Sequence, residues 1–256
     1  MHHAARIASI TLKPDLQYTH PKLADIYDLG NSGSEDRDFY LALAGQPPQA
    51  ILDLGCGTGL LCNAYAERGH RVTGCDPAPA MLMVAARKPF GEQITWVESP
   101  AESYRSAQQF DLITMTGHAF QVLLTEPTVL ATLDTIERHL KRGGKAVFES
   151  RNPAIDWDKI WARRVTLNGP NGPIIATRRT LASDRAAGTI SFAWDYDFGD
   201  DTLTSTSTLW FLSHDQIIAL AEQVGLSLLN LYGDWDASPF DPENSREMIF
   251  EFGLTA

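Results

Sequence analysis

Gly55, Gly57 and Gly59 occupy alternate positions directly after the apolar run Ile51-Leu52-Asp53-Leu54, and an acid, Asp76, stands 21 residues beyond Gly55. Glycine tolerates φ > 0 and, lacking Cβ, lets the main chain approach a ligand closely. A carboxylate at that distance accepts hydrogen bonds from both hydroxyls of a ribose, so this constellation reads as a nucleotide-type cofactor site. Asp53, two residues before the first glycine, adds negative charge where a pyrophosphate would be repelled and a cationic ligand favoured.

A second group of chemistry-bearing residues lies further along the chain. Met115-Thr116-Gly117-His118-Ala119-Phe120-Gln121 follows a run of strand composition. His118 is the candidate for orienting or deprotonating an acceptor, because an imidazole titrates near neutrality. Thr116 is a candidate cofactor contact, and Phe120 is expected to shape the acceptor pocket. Glu149-Ser150-Arg151-Asn152 follows the next such run. There Arg151 and Asn152 are candidate acceptor contacts, with Arg151 pairing an acidic substrate or else neutralising Glu149 or a lid carboxylate. No HxxxH, HxxE or cysteine cluster points to a metal, so no metal is expected.

These residues need elements to position them. Strand and helix composition alternates over 50–54, 60–69, 71–75, 79–87, 94–97, 110–115, 128–141 and 145–149. That rhythm predicts a parallel sheet with helices on both faces and all strand C-termini along one edge. Residues 21–44 read as a helical lead-in interrupted at Gly30-Asn31-Ser32-Gly33. Ile174–Leu181, Thr189–Tyr196 and Thr202–Trp210 break the alternation and read as an antiparallel three-stranded insertion. Ser213 is the expected N-cap of a further helix stopped by Gly225, and strands at 226–232 and 247–252 finish the chain.

The spacing alone fits a nicotinamide dinucleotide as well as S-adenosylmethionine, although Leu60 stands where a dinucleotide fingerprint places its last Gly or Ala. The motifs decide further. Asp53-Leu54-Gly55-Cys56-Gly57-Thr58-Gly59, Val72-Thr73-Gly74-Cys75-Asp76 with Pro77 and Met81-Leu82, Phe110-Asp111-Leu112-Ile113, and Leu140-Lys141-Arg142-Gly143-Gly144-Lys145 occur in that order. Together they resemble the class I S-adenosylmethionine-dependent methyltransferases over residues 21–150 and again from Phe211 onward. The resemblance implies an α/β Rossmann-like doubly wound sheet of seven strands, order 3-2-1-4-5-7-6 with strand seven antiparallel, carrying an antiparallel β insertion after strand five. It divides the chain into residues 1–150 with the lead-in helices and cofactor core, 151–210 as lid, substrate or dimer region, and 211–256 completing the core.

It also implies S-adenosyl-L-methionine as cofactor. Gly55, Cys56, Gly57 and Gly59 would lie along its methionine part with Asp53 nearby. Asp76 would hold the ribose, and Pro77 and Met81 would flank the adenine. Pro100 replaces the usual Asp of the adenine site, leaving the Ala101 backbone N–H and Glu102 to serve the ring. In relatives the lead-in folds over the cofactor, which makes Tyr27 a cofactor contact and Tyr18 an acceptor contact. The Met-x-Gly-His stretch and the insertion are also similar to amino-sugar N-methyltransferases, which implies a small-molecule amine acceptor, with O- and C-nucleophiles left open. An NAD-dependent oxidoreductase and a non-catalytic S-adenosylmethionine-binding protein are the alternatives.

Composition narrows the partners. With 44% hydrophobic and 21% charged residues the chain is globular rather than disordered, and its length accommodates a large core. A net charge of −11 argues against nucleic acid, which demands concentrated basic surface. No apolar stretch approaches the roughly 20 residues of a membrane span. The start, Met1-His2-His3-Ala4-Ala5-Arg6, has no secretory apolar region, so a cytoplasmic protein is expected, as monomer or homodimer. Cys56, Cys62 and Cys75 show no disulfide pattern and read as small buried residues.

Overall fold

The computed structural model describes residues 14–31 and 35–255; the expectations for Met1–Arg6 and for Ser32 and Gly33 lie outside them. The lead-in comprises α1 (Leu16–Thr19), α2 (Pro21–Ala24), a 3-10 turn over Tyr27–Gly30 and α3 (Glu35–Leu43). The alternating part follows as β1 (Ala50–Leu54), α4 (Leu60–Glu67), β2 (Arg71–Asp76), α5 (Pro79–Ala86), β3 (Thr95–Glu98), β4 (Phe110–Met115), α6 (Glu126–His139) and β5 (Leu140–Arg151). After β5 come α7 (Trp157–Ile160) and a run of strands: β6 (Arg163–Gly169), β7 (Gly172–Asp184), β8 (Thr189–Asp197) and β9 (Thr202–Trp210). The chain ends with α8 (His214–Gln223), β10 (Leu226–Tyr232) and β11 (Glu247–Leu254).

The main sheet has seven strands in the order β10-β11-β5-β4-β1-β2-β3, with β11 antiparallel to β5 and to β10. This is the expected order, β11 taking the place of strand seven and β10 of strand six. β1 is buried along its whole length, as a central strand covered on both faces must be. One face of the sheet packs Leu52, Leu54, Ile113, Phe148 and Phe250 against α6 and α8, and the other packs Ile51, Leu112 and Ile249 against α3 and α4. Phe148 stacks between Phe120, at 4.4 Å, and Phe250, at 5.5 Å. Ser213 caps α8 with a capping box, its side chain accepting from Gln216 N–H while the Gln216 side chain accepts from the Ser213 N–H.

The insertion is a separate antiparallel sheet of four strands, β6-β7-β8-β9, rather than three. The additional strand, β6, is an edge strand with Arg163, Arg164 and Thr166 exposed, so its sequence carries too little apolar alternation to betray it. Leu167, Ile174 and Ala176 of this sheet pack on Leu23 and Ile26 of the lead-in. The lead-in also reaches β9, where Gln17 N–H donates to Ser205 Oγ at 2.8 Å. It is therefore held between the insertion and α5. No described helix is long and apolar enough to cross a membrane.

Candidate active site

The glycine bend connects β1 to α4 with Gly55, Gly57 and Gly59 at φ 70°, 53° and 70°. Gly55 and Cys56 N–H donate to the Cys75 carbonyl at 2.7 and 3.0 Å, tying the bend to the end of β2. Gly57 N–H donates to Asp76 Oδ2 and Ala78 N–H to Asp76 Oδ1, both at 2.8 Å. Burial pushes the Asp76 carboxyl above its usual range, and these N–H groups partly offset it. Each carboxylate oxygen accepts one N–H here and keeps a lone pair for a further donor. The glycines differ in what they permit. A Cβ at Gly59 would lie 2.6 Å from Trp96 Cη2, and one at Gly55 would lie 2.9 Å from Ala119 Cβ. A Cβ at Gly57 would meet nothing within 4 Å, so the space over the bend is open at that residue. An exposed main chain beside a buried carboxylate with spare lone pairs fits the ribose end of an adenosine.

Asp53 lies beneath the bend, 1% exposed, accepting from Thr114 Oγ1 at 2.9 Å and from Cys62 Sγ at 3.4 Å. Burial pushes it up to about 7, against these two donors. Met81 is buried with Ala24, Ala78 and Ala80, and Tyr18 and Tyr27 pack on this cluster with ring centroids 6.0 Å apart. Burial and the charge of Asp76 raise the Tyr27 phenol to about 12. Asp28 fastens the segment carrying Tyr27: Thr58 Oγ1 donates to Asp28 Oδ1 and Lys88 Nζ to Oδ2, each at 2.5 Å. Ala101 is buried in a 3-10 turn, and Glu102, Pro77, Thr116 and Cys56 are half-buried. Cys62 and Cys75 are buried, and all three cysteines are free thiols.

A second cluster forms where β4, β5 and β11 end. Gly117 and His118 take left-handed conformations in succession, at φ 67° and 59°. That is an uncommon backbone for a residue other than glycine. The turn aims the His118 N–H at Glu149 Oε1, 2.7 Å away, and places its Nε2 2.8 Å from Glu247 Oε2. The other Glu149 oxygen accepts from the Tyr40 hydroxyl. Glu149 and Tyr40 are each 1% exposed, and burial moves both upward in pKa. The antiparallel register of β11 on β5 sets Glu247 opposite Arg151.

Three expectations for this end need correction. Arg151 makes no close ion pair with Glu149, although the charges of Glu247 and Glu149 partly offset the burial that lowers its pKa; its guanidinium donates to Gln121 Oε1 at 3.0 Å and lies against the Trp157 and Trp161 rings. Phe120 is 2% exposed and stacked in the core on Phe148, because the 3-10 turn after His118 folds it inward. Asn152 is a structural residue, its amide donating to the Pro242 and Ser245 carbonyls at 3.0 and 2.8 Å while its oxygen accepts from Ala154 N–H at 3.0 Å.

A methyltransferase domain family matches residues 51–144. The chain is 29% identical to a cypemycin N-terminal methyltransferase from Streptomyces over 78% of its own length and 81% of that relative. It is 33% identical to a ubiquinone biosynthesis O-methyltransferase from Saccharophagus degradans over 40% of its length, spanning less than half, 44%, of that protein. The fold matches that of the CcbJ methyltransferase from Streptomyces caelestis with a TM-score of 0.76, covering 91% and 96% of the two chains at 21% identity. An S-adenosylmethionine-dependent methyltransferase from Clostridium acetobutylicum also gives 0.76, at 16% identity over 92% and 98% of the chains. Together these findings support a class I S-adenosylmethionine-dependent methyltransferase. An oxidoreductase reading is thereby set aside.

Within this methyltransferase, the sequence pointed to Asp76 and the glycine bend but not to Tyr40, Glu247, Gln121 or Asp28. Each of these meets its partner across a long stretch of chain: Tyr40 and Glu149 are 109 residues apart, and His118 and Glu247 are 129. The available signal was weak. Glu247 is an acid opening a buried final strand whose other acid is Glu251, a place where a buried charge requires a partner.

Proposed function

We propose that this methyltransferase acts on the nitrogen of a small-molecule amine. The observation that carries the reading is the position of His118 between two carboxylates, Glu149 and Glu247, at the strand edge. An amine arrives protonated, is attracted by acidic groups, and must lose its proton before it can attack. The carboxylate of Glu247 only accepts, so Nε2 is assigned as the donor to it and Nδ1 carries the lone pair that takes the proton. The relative named as an N-terminal methyltransferase supports this reading, as does the fold shared with a sugar N-methyltransferase from Streptoalloteichus at TM-score 0.74.

In this proposal Asp76 accepts from the ribose hydroxyls, the main chain at Gly55, Cys56, Gly57 and Gly59 lines the methionine part, and Asp53 braces the bend from beneath through Thr114 and Cys62. Pro77, Met81, Tyr27, Ala101 and Glu102 surround the adenine, and Thr116 borders the reacting end. When bound, S-adenosylmethionine supplies a sulfonium methyl already activated by positive charge. Most of the rate then comes from alignment, which in oriented systems contributes roughly 7–11 kcal/mol, and a base adds about 10²–10⁴-fold. Residues 151–210 and Tyr18 cover the acceptor in this scheme.

The test is incubation with methyl-labelled S-adenosylmethionine and a metabolite extract, followed by fragmentation of any labelled product. A methyl on nitrogen is expected. A methyl on oxygen or carbon, or no product despite calorimetric binding of the cofactor, overturns the amine reading. Asp76→Ala is expected to weaken cofactor binding by about 1–3 kcal/mol, the loss of a charge-assisted hydrogen bond.

A further inference from the structure

Arg151 and Arg178 belong to different sheets, yet their guanidinium carbons lie 5.2 and 4.8 Å from the centre of the same Trp161 ring. They are therefore no further apart than the sum of those distances. Trp157 flanks Arg151 at 5.7 Å, and Trp194 and Phe192 flank Arg178 at 5.4 and 5.9 Å. Each cation spends little of its donor capacity on the protein. Arg151 donates to Gln121 Oε1 at 3.0 Å and Arg178 Nε–H to the Trp161 carbonyl at 2.8 Å. A guanidinium carries five N–H groups, so most remain.

Among the described residues neither guanidinium has a carboxylate within 4.0 Å. Arg179, next along β7, behaves otherwise and bonds Asp195 at 2.9 Å. Two half-buried cations sharing an indole repel each other. Burial, Arg151 and Arg163 bring Arg178 down to about 10, so it stays charged near neutrality while lacking an anion. Arg151 is also cross-strand to Glu247 and two residues beyond Glu149, so the cluster borders the His118 site. One end of this region is acidic and the other cationic.

We propose that Arg151 and Arg178 bind the carboxylate of the methyl acceptor, which is therefore an amino-acid-type molecule whose amine lies toward His118. This deepens the amine reading and rests on it. Guanidinium edges match a planar carboxylate through paired N–H groups, and flat indole walls leave room for a flat anion.

The test follows the side-chain N–H signals of isotope-labelled arginine by NMR in the full-length protein saturated with S-adenosylhomocysteine, titrated with acetate. Arg151 and Arg178 signals, assigned with Arg151→Lys and Arg178→Lys, are expected to shift together and saturate, while acetamide leaves them in place and Arg179 stays still. Arg178→Gln is expected to weaken acetate binding roughly tenfold, as loss of a charge-assisted contact requires, with Arg178→Lys retaining more of it. Equal shifts with acetamide, or shifts confined to Arg179, overturn the proposal. Methyl phosphate binding tenfold tighter than acetate overturns it in favour of a phosphate-bearing acceptor. Acetate binding only when S-adenosylhomocysteine is absent assigns the pair to the cofactor's own carboxylate instead. Failure of the cofactor reading is a separate result, seen as no heat on titration with S-adenosylhomocysteine.

Discussion

The Tyr40 hydroxyl, on a helix that precedes the main sheet, donates to the Glu149 carboxylate at the end of β5. The contact joins the lead-in to the strand edge that also carries His118. Both side chains are buried, so the pair is shielded from water and neither group has a ready substitute. Removing the hydroxyl leaves one oxygen of a buried carboxylate without that donor, a loss of about 1–3 kcal/mol. Tyr40→Phe is expected to lower unfolding free energy in urea by that amount. A double-mutant cycle with Glu149→Gln isolates the pair; zero coupling energy would remove the contact from the account.

Gly57 and Gly59 have similar backbone angles but opposite surroundings. At Gly57 an added methyl costs only the positive-φ strain, about 1–2 kcal/mol. It also projects into the open space where the cofactor is proposed to lie. At Gly59 the same methyl collides with the Trp96 ring and touches Ala85, adding an overpacking cost of about 1–3 kcal/mol. Gly57→Ala is therefore expected to fold with a modest loss and to bind S-adenosylhomocysteine poorly, whereas Gly59→Ala loses stability first. Melting curves and calorimetry separate the outcomes. Normal affinity in Gly57→Ala would move the cofactor off the bend.

The glycine bend was legible because it is local: glycine at three alternate positions and an acid at a strand end declare their geometry within a few residues, whereas the sheet order was implied only by the resemblance that four motifs in sequence carry. Ser213 and Gly225 marked the limits of α8 for the same reason. What stayed hidden depends on register and distant packing. β6 is an edge strand whose apolar alternation amounts to Val165 and Leu167 alone, too short a run to announce itself. Phe120 looked like a pocket residue from its place after β4, but the left-handed pair Gly117–His118 turns the chain and sends it into the aromatic stack with Phe148. Asn152 looked like a polar group at a productive edge, yet the loop at 242–245 returns to consume its amide. The Arg151–Trp161–Arg178 cluster requires two sheets to meet, which no spacing announces.

Asp53 gives the fold a pH dependence with a definite sign. Its folded pKa of about 7 lies above the ordinary 3.8 of a free carboxyl. Between those values the folded chain keeps a proton that the unfolded chain has released, so the contribution to stability is complete below about pH 4 and lost as pH rises toward 7. In Asp53→Asn the amide oxygen still accepts from Thr114 and nothing titrates. The melting temperature of this variant relative to wild type is expected to climb between pH 4.5 and 7.5. Parallel curves would show that Asp53 is ionised throughout.

His118 is best tested by a substitution that keeps its backbone. The residue sits at φ 59°, a conformation Asn tolerates better than most side chains, so His118→Asn preserves the turn and the N–H that faces Glu149. Only the ring is lost, and with it the lone pair proposed to take the proton from the amine. Turnover is expected to fall by about 10²–10⁴-fold, the usual contribution of a positioned base, while S-adenosylhomocysteine affinity is unchanged. His118→Ala removes the ring too but adds backbone strain, so it should melt below His118→Asn. Glu247→Gln, which keeps an acceptor for Nε2 but not its charge, is expected to lie between wild type and His118→Asn in turnover. If His118→Asn turns over at the wild-type rate, the ring has no part in proton removal, and orientation alone must account for the reaction.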